Sequence, residues 1–249
     1  MKIRIYPFLG IFVIILIWYV LAIYHFPSPT ILPPPGKVFA VLGTLFASGD
    51  IFKDLYRTLS IWFLGFFLGL FVGIPIGILM GYSKKIYESL ELIIDFFRSL
   101  PSLVLYPLFV VFFGLGNIPK VLLVIFVSSF YTLINTIYGV KYSRETYLII
   151  GKLFKANKIQ IFSKIIFPAA LPDIFAGIRV SISIALIVTV GSEMILGSDA
   201  GLGKRILDRS MVYNMSEMYA LIIIIGLLGW LSNKLLLILE ERLVHWRGK

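Results

Sequence analysis

The chain has 249 residues, 59% of them hydrophobic and only 14% charged, where a soluble domain carries about a quarter charged, so it is an integral membrane protein. Without cysteine there are no disulfides, thiolate metal sites or cysteine nucleophiles, and the two histidines, His25 and His245, are too far apart to suggest a metal pair by spacing. A net charge of +10 fits basic loops on one membrane face, which explains it more simply than nucleic acid does.

Lys2 and Arg4 precede an apolar run at 8–24, long enough at about 1.5 Å per residue to span the hydrocarbon core. No small residues mark a cleavage site, so the run reads as a retained anchor with its N-terminus inside. Pro33, Pro34 and Pro35 stiffen its exit, 37–45 reads as a short interfacial helix, and Asp50, Lys53, Asp54 and Arg57 read as a solvated surface. Residues 58–83 carry no charge, and Gly65, Gly69, Gly73, Gly77 and Gly81 recur every fourth residue, a ladder that admits a neighbouring helix closely. Because four residues overshoot one turn by about 40°, the stripe winds around its helix and predicts a steep crossing.

Residues 86–100 are amphipathic, with Glu88, Glu91, Asp95 and Arg98 along one face. They are solvated at a cytoplasmic mouth, or else Arg98 lies at membrane depth on a transport path, where an ionisable group is costly and kept for a reason. Pro101 and Pro107 kink a third span at 102–113, 114–117 is an outside turn, and a fourth span at 121–140 bears Asn135 near its inner end. Asn135 reads as an interhelical hydrogen bond rather than a ligand group.

The segment 141–172 then sets six cations, Lys141, Arg144, Lys152, Lys155, Lys158 and Lys164, against Glu145. It predicts two short helices outside the lipid. Ser143 caps the first, with Glu145 in its first turn; Asn157 starts the second, with Gln160 completing a capping box, and Pro168 and Pro172 interrupt it. Tyr147, Leu148, Phe154, Ile161 and Phe162 supply an apolar face for a partner. A fifth span at 174–196 carries Arg179 and Glu193, 197–215 is a polar external loop around Gly201-Leu202-Gly203 that either stays outside or dips back, and a sixth span at 219–239 ends beside Lys234. Arg179 either attracts an anionic substrate or pairs with a span neighbour; Glu193 either gates an external mouth or bonds to a neighbour. With Arg98, Arg179 and Lys234 set aside, thirteen cations fall on inside segments and seven on outside ones, which places both termini in the cytoplasm.

The expected architecture is therefore all-α, with six transmembrane helices and cytoplasmic N- and C-termini. It divides into an anchor and external segment (1–57), a transmembrane core (58–239) that includes the loop 141–172, and a cytoplasmic tail (240–249). No G-x-x-x-x-G-K-[ST] is present, so the chain does not hydrolyse ATP by a P-loop, and if it pumps, the energy enters from a partner. The exposed helix pair is a socket for one. No histidine–carboxylate cluster offers a catalytic grouping, so no enzyme activity, catalytic residue or metal ligand is expected.

Several stretches carry a resemblance: Leu32-Pro33-Pro34-Pro35, Arg98-Ser99-Leu100-Pro101, Tyr106-Pro107-Leu108, Phe113-Gly114-Leu115-Gly116, Asn135-Thr136, Ile165-Ile166-Phe167-Pro168, Ala176-Gly177-Ile178-Arg179, Glu193-Met194, Gly201-Leu202-Gly203 and Trp246-Arg247. In this order they resemble the permease subunits of ABC importers of the nitrate, sulfonate and taurine class over nearly the full length. The resemblance implies a type I importer permease fold in the plasma or inner membrane and a homodimer in lipid. It also implies a separate ATP-binding cassette subunit, which would hold ATP and Mg while this chain holds no cofactor, and an external substrate-binding protein. The cargo would be a small anionic solute such as a sulfonate, nitrate or taurine. Coupling would run through 145–168, by Glu145, Ile149, Ile150, Gly151, Lys155, Ala156, Asn157, Ile165, Phe167 and Pro168, and the translocation path would include Arg98, Asn135, Arg179 and Glu193. The family's Glu-Ala-Ala falls on Ile149-Ile150-Gly151 and its glycine on Lys155, a bulky residue expected not to reproduce the tight turn that glycine permits. The competing expectation is a secondary transporter driven by an ion gradient, with Arg98, Arg179 and Glu193 as its relay.

Overall fold

The computed structural model describes residues 6–26, 28, 30–153, 155–195 and 198–246; the side chains at 6–8, 145, 146, 148, 150 and 152 also lie outside the description. Every regular element among the described residues is helical: α1 (Tyr6–Ile23), α2 (Pro35–Ser48), α3 (Ile51–Tyr82), α4 (Lys84–Ser99), α5 (Tyr106–Phe113), α6 (Ile118–Leu153), α7 (Lys158–Ile161), α8 (Phe167–Met194), α9 (Leu202–Met211) and α10 (Met215–Leu243). A 3-10 turn, Ser102–Leu105, leads into α5, and a π turn, Phe162–Ile166, joins α7 to α8.

Four stretches are long and apolar enough to cross a bilayer: Ile51–Tyr82, Ile118–Arg144, Lys158–Met194 and Met215–Leu243. A fifth is reached if α4 and Ser102–Phe113, bent by 94°, form one broken span. The kink expected in a third span at 102–113 is thus a sharp bend ahead of it, because Pro101 has no amide to continue the α4 ladder, and α5 runs for only 8 residues. In α1 the described apolar part, Leu9–Ile23, is shorter than a span.

The core is a three-helix unit. α3 and α6 lie side by side, and the glycine ladder explains how closely: an added Cβ at Gly65, Gly69, Gly77 or Gly81 would stand 2.6, 2.5, 2.6 or 2.7 Å from the Cβ of Val124, Ser128, Thr136 or Val140. Contact therefore persists from Gly65 to Gly81, roughly 24 Å of helix at 1.5 Å per residue. The expected steep crossing is wrong, since it would let only one or two rungs touch; α6 meets the glycines with Val124, Ser128, Thr136 and Val140 at steps of four or eight, so the helices stay together. α8 closes the unit, with Ser181 Oγ donating to the Ser128 carbonyl at 3.2 Å and buried Trp62 Nε1 donating to the Ile182 carbonyl at 3.0 Å. Phe63, Phe67 and Phe71 of α3 and Leu227, Trp230 and Leu231 of α10 remain exposed, a surface suited to lipid.

Around this unit α2 buries Val38 and Leu45 among Leu202, Ile206 and Leu221 of α9 and α10. The N-terminal helix is tied on by Trp18, whose Nε1 donates to the Pro33 carbonyl at 3.0 Å and whose ring lies 5.9 Å from that of Tyr219.

Two local expectations fail, and a third gains detail. Ser143 caps no helix: it is buried inside α6, which runs unbroken to Leu153 because nothing between 141 and 153 breaks a helix. Pro168 and Pro172 do not interrupt the second helix, since helical backbone runs on from Lys158 to Met194: the π turn Phe162–Ile166 shifts the hydrogen-bond register just ahead of Pro168, and Pro172 is carried inside α8. The 197–215 loop contains α9, whose buried Leu202 and Ile206 face α2 and α10.

Candidate functional site

Three places gather the polar residues of this apolar bundle. The first is a cleft of about 500 Å³ between the α4–α5 bend and α6. Phe97, Phe126 and Phe130 form one wall, with ring centroids 5.6, 5.9 and 4.6 Å apart. Arg98, Ser99, Tyr131 and Asn135 line it too, so two of the four expected path residues share one cavity. Arg98 pairs with Asp95 at 3.2 Å, both more than half exposed, and Asn135 Nδ2 donates to the Tyr131 carbonyl at 2.8 Å.

The other two path candidates lie elsewhere. Arg179 Nε lies 3.2 Å from Glu240 Oε2 of α10, in a pair that is largely buried. Glu193 is completely buried at the far end of α8. Thr58 Oγ1 donates to its carboxyl group at 2.9 Å and accepts the Leu202 amide at 2.9 Å, while the Gly203 amide donates to Glu193 Oε2 at 2.9 Å. Gly201, at φ +133°, brings the backbone so close that a Cβ there would stand 2.5 Å from the Glu193 carboxyl carbon, which leaves no residue but glycine room to pass. Arg98, Arg179 and Glu193 share no partner among the described residues, so the relay expected of a gradient-driven transporter is not assembled.

Glu193 belongs to a second polar place that the sequence did not reveal. Asp54 accepts from the Gly201 amide at 2.9 Å and from Arg205 Nη1 at 3.0 Å, and Glu217 accepts from Arg205 Nε at 2.7 Å and forms an ion pair with Arg209, whose Nε lies 2.8 Å away. Burial disfavours the Arg205 charge, but its hydrogen bonds to Glu217 and Asp54 outweigh this and hold the guanidinium above its ordinary pKa. Asp54 is therefore not the solvated surface residue expected; its side chain is 15% exposed and stitches α3 to α9. Its partners lie about 150 positions away. The one local hint is that Asp54 and Thr58 stand four apart and so share a helix face.

The third place is the loop at the opposite end of α6. The Ala156 amide donates to the Gly151 carbonyl at 3.1 Å across Lys155, which sits at φ +51°. This is a Schellman turn with lysine in the left-handed position. The expectation that Lys155 forbids the turn is wrong: the turn forms, at a cost of about 1–2 kcal/mol relative to a right-handed residue. Asn157 Oδ1 accepts the Gln160 amide at 2.8 Å, and Gln160 Oε1 accepts the Asn157 amide at 2.9 Å, the expected capping box. Gly151 is buried because Ile161 of α7 packs on it; an added Cβ would stand 2.6 Å from Ile161 Cγ1. Phe162 holds the pair against α3, its ring 5.7 Å from that of Tyr82. Ile149, Leu153 and Ile159 are left 66%, 75% and 78% exposed, while Ile165, Phe167 and Pro168 are half-buried behind them. The side chains of Glu145 and Ile150, and all of Phe154, lie outside the described residues.

Apolar helices packed at van der Waals distance, with a mixed aromatic and polar cleft between them, mark a multi-pass membrane protein of the transport kind. Residues 73–248 match the family of binding-protein-dependent transport system inner membrane components, and the chain belongs to that family. A candidate aliphatic sulfonates transport permease protein of Bacillus subtilis (strain 168), SsuC, is 34% identical over 236 residues, 95% of this chain and 85% of the relative. The nitrate import permease protein NrtB of Synechocystis sp. (strain ATCC 27184 / PCC 6803 / Kazusa) is 30% identical over 248 residues, 96% of this chain and 88% of its own. The fold is similar to that of a chain in inward facing structures of the MetNI methionine ABC transporter, with a TM-score of 0.66 at 18% identity over 80% of this chain and 96% of that one.

Proposed function

We propose that the chain is the permease subunit of an ATP-driven importer. Two copies form the path for a small anionic solute, a sulfonate, nitrate or the like, and a separate ATPase subunit that holds ATP and Mg drives it. An external binding protein delivers the solute. Each copy has six spans with both termini in the cytoplasm, α1 serving as the first span. The observation that carries this reading is the loop end: a helix continuous with a span, turned back by a Schellman motif and a capping box, presents Ile149, Leu153 and Ile159 to solvent. An exposed aliphatic patch on a rigid, basic helical corner suits a groove in a second protein. The Arg98 and Asn135 cleft supplies the chemistry for an anion, a guanidinium and an amide beside an aromatic wall.

The test is copurification of the solubilised chain with its cognate ATPase, comparing the natural sequence with Ile159→Glu. A charge in a desolvated apolar contact costs several kcal/mol, so the variant is expected to lose the ATPase while keeping its own elution position. Undiminished binding in Ile159→Glu and in a variant lacking residues 149–162 would overturn the coupling role.

A further inference from the structure

The cleft at Arg98 does not end at Arg98. Arg98 and Ile134 also line a narrow neck of about 30 Å³ between α4 and α6. Met80, Tyr87 and Glu91 of that neck in turn line a further cavity of about 340 Å³ at the start of α4. The shared residues make one groove, running along the α4–α6 seam from the aromatic cleft to the root of the 141–172 loop.

The terminal cavity has a chemistry of its own. Lys84 at the first turn of α4 and Lys141 and Arg144 on α6 stand around it, with Tyr87, Glu88 and Glu91. The two carboxylates are engaged locally: Glu88 lies 3.5 Å from Lys84 Nζ, and Glu91 accepts the Tyr87 hydroxyl at 2.8 Å. Lys141 and Arg144 rest instead on aromatic faces, 4.7 Å from the Tyr87 ring centre and 5.8 Å from that of Tyr82. Among the described residues neither has a carboxylate within ion-pair distance. A cation on a ring face keeps its remaining N–H groups for another acceptor. The backbone amide of Ile86 is taken by Ser83, which caps the helix, and the cavity lies alongside the first two turns of α4.

The geometry points to a second oxyanion site, for a sulfonate or phosphate group, held by Lys84, Lys141 and Arg144 at the loop end of the groove. A tetrahedral oxyanion suits three cations that approach from two helices, and the exposed Lys84–Glu88 pair is weak enough to yield to it. The oxyanion has two possible sources: a solute leaving the cleft along the groove, or the headgroup of an anionic lipid at the membrane face where the uncharged runs of α3 and α6 end. The direction of travel rests on the cytoplasmic placement of the loop proposed above; the chemistry of the site does not.

The test is amine acylation of the full chain in nanodiscs, where both faces are accessible, read per lysine by peptide mass spectrometry. Methanesulfonate or inorganic phosphate is added against chloride at matched ionic strength, in discs of phosphatidylcholine alone or with phosphatidylglycerol. At ten times the dissociation constant the site is about 91% occupied, so acylation of Lys84 and Lys141 slows about tenfold relative to Lys158 and Lys164. Protection in phosphatidylcholine discs by the small oxyanions supports the site with the solute as source. Protection that appears only with phosphatidylglycerol supports it with the lipid as source. Arg144→Gln is expected to abolish the protection of both lysines and Arg98→Gln to leave it. Equal acylation of Lys84, Lys141 and Lys158 under all conditions overturns the site, and does so without bearing on whether an ATPase binds the loop.

Discussion

Thr58→Val isolates the contribution of the polar network that joins α3, α8 and α9. Thr58 is completely buried, and its single hydroxyl serves two neighbours: it donates to Glu193 and accepts the Leu202 amide, each at 2.9 Å. Valine keeps the shape and removes both bonds. The Leu202 amide then lacks an acceptor, at about 1–3 kcal/mol for a buried group, and the carboxyl group keeps only the Gly203 amide as donor, a lost bond of about 0.5–1.5 kcal/mol, or about 3 kcal/mol together. For a chain of this size 1 kcal/mol moves the melting temperature by about 2–4 °C, so a fall of about 6–12 °C is expected. Thr58→Ser keeps the hydroxyl and loses one methyl group, about 1 kcal/mol and about 2–4 °C. Melting of the detergent-solubilised protein, followed by size-exclusion recovery after heating, measures the difference. Amide exchange at Leu202 should also quicken in the valine variant and not in the serine one. Equal melting temperatures for valine and serine would refute the reasoning, because removing the hydroxyl would then cost no more than removing one methyl group.

In the glycine seam, Gly69→Ala places a Cβ 2.5 Å from that of Ser128 with the Ile125 carbonyl at 3.0 Å, so overpacking of about 1–3 kcal/mol is expected, whereas Gly226→Ala, with nothing within 4 Å, is expected to be neutral or slightly stabilising; thermal melting separates them. Arg179→Leu leaves Glu240, itself largely buried, without the cation 3.2 Å away, and is expected to destabilise by a few kcal/mol, with Arg179→Leu/Glu240→Leu recovering most of the loss; a double variant no better than the single one would remove the pair from the account. Lys155→Gly relieves the positive φ of 51° and is expected to strengthen the turn by about 1 kcal/mol, slowing exchange of the Ala156 amide about fivefold.

What the sequence disclosed was whatever depends on near neighbours. Uncharged runs marked the long helices, Asn157 and Gln160 three positions apart marked the capping box, and the four-residue ladder marked a helix interface. What it hid depends on partners far along the chain. Asp54 looked like any solvated carboxylate because Gly201 and Arg205 lie about 150 positions away. The steep crossing was a misreading of the ladder from one helix alone: Ser128, Thr136 and Val140 step by four or a multiple of it on the partner, and two matching stripes can follow each other where a single stripe cannot. Ser143 has the composition of a cap, yet a cap needs a helix to stop before it, and nothing stops α6 there.

The distribution of buried bonds bears on which helix can move. Around α9 the amides of Gly201, Leu202 and Gly203 all end on side chains of α3 or α8, so displacing α9 strands several polar groups at once. The α3–α6 seam has backbone and side chains in contact at every rung, and a close-packed interface of that kind shifts as a unit or not at all. On α4 no residue is buried, and its ion pairs, Lys84–Glu88 and Arg98–Asp95, are exposed and internal to the helix, worth roughly 0–1 kcal/mol each and travelling with it. Its ends are breaks, an extended Ser83 before it and the 94° bend after it. A movement that widens or narrows the Arg98 cleft therefore meets least resistance if α4 swings against a fixed α3–α6–α8 unit. The same swing would open the seam between α4 and α6, because both walls of the groove are those two helices.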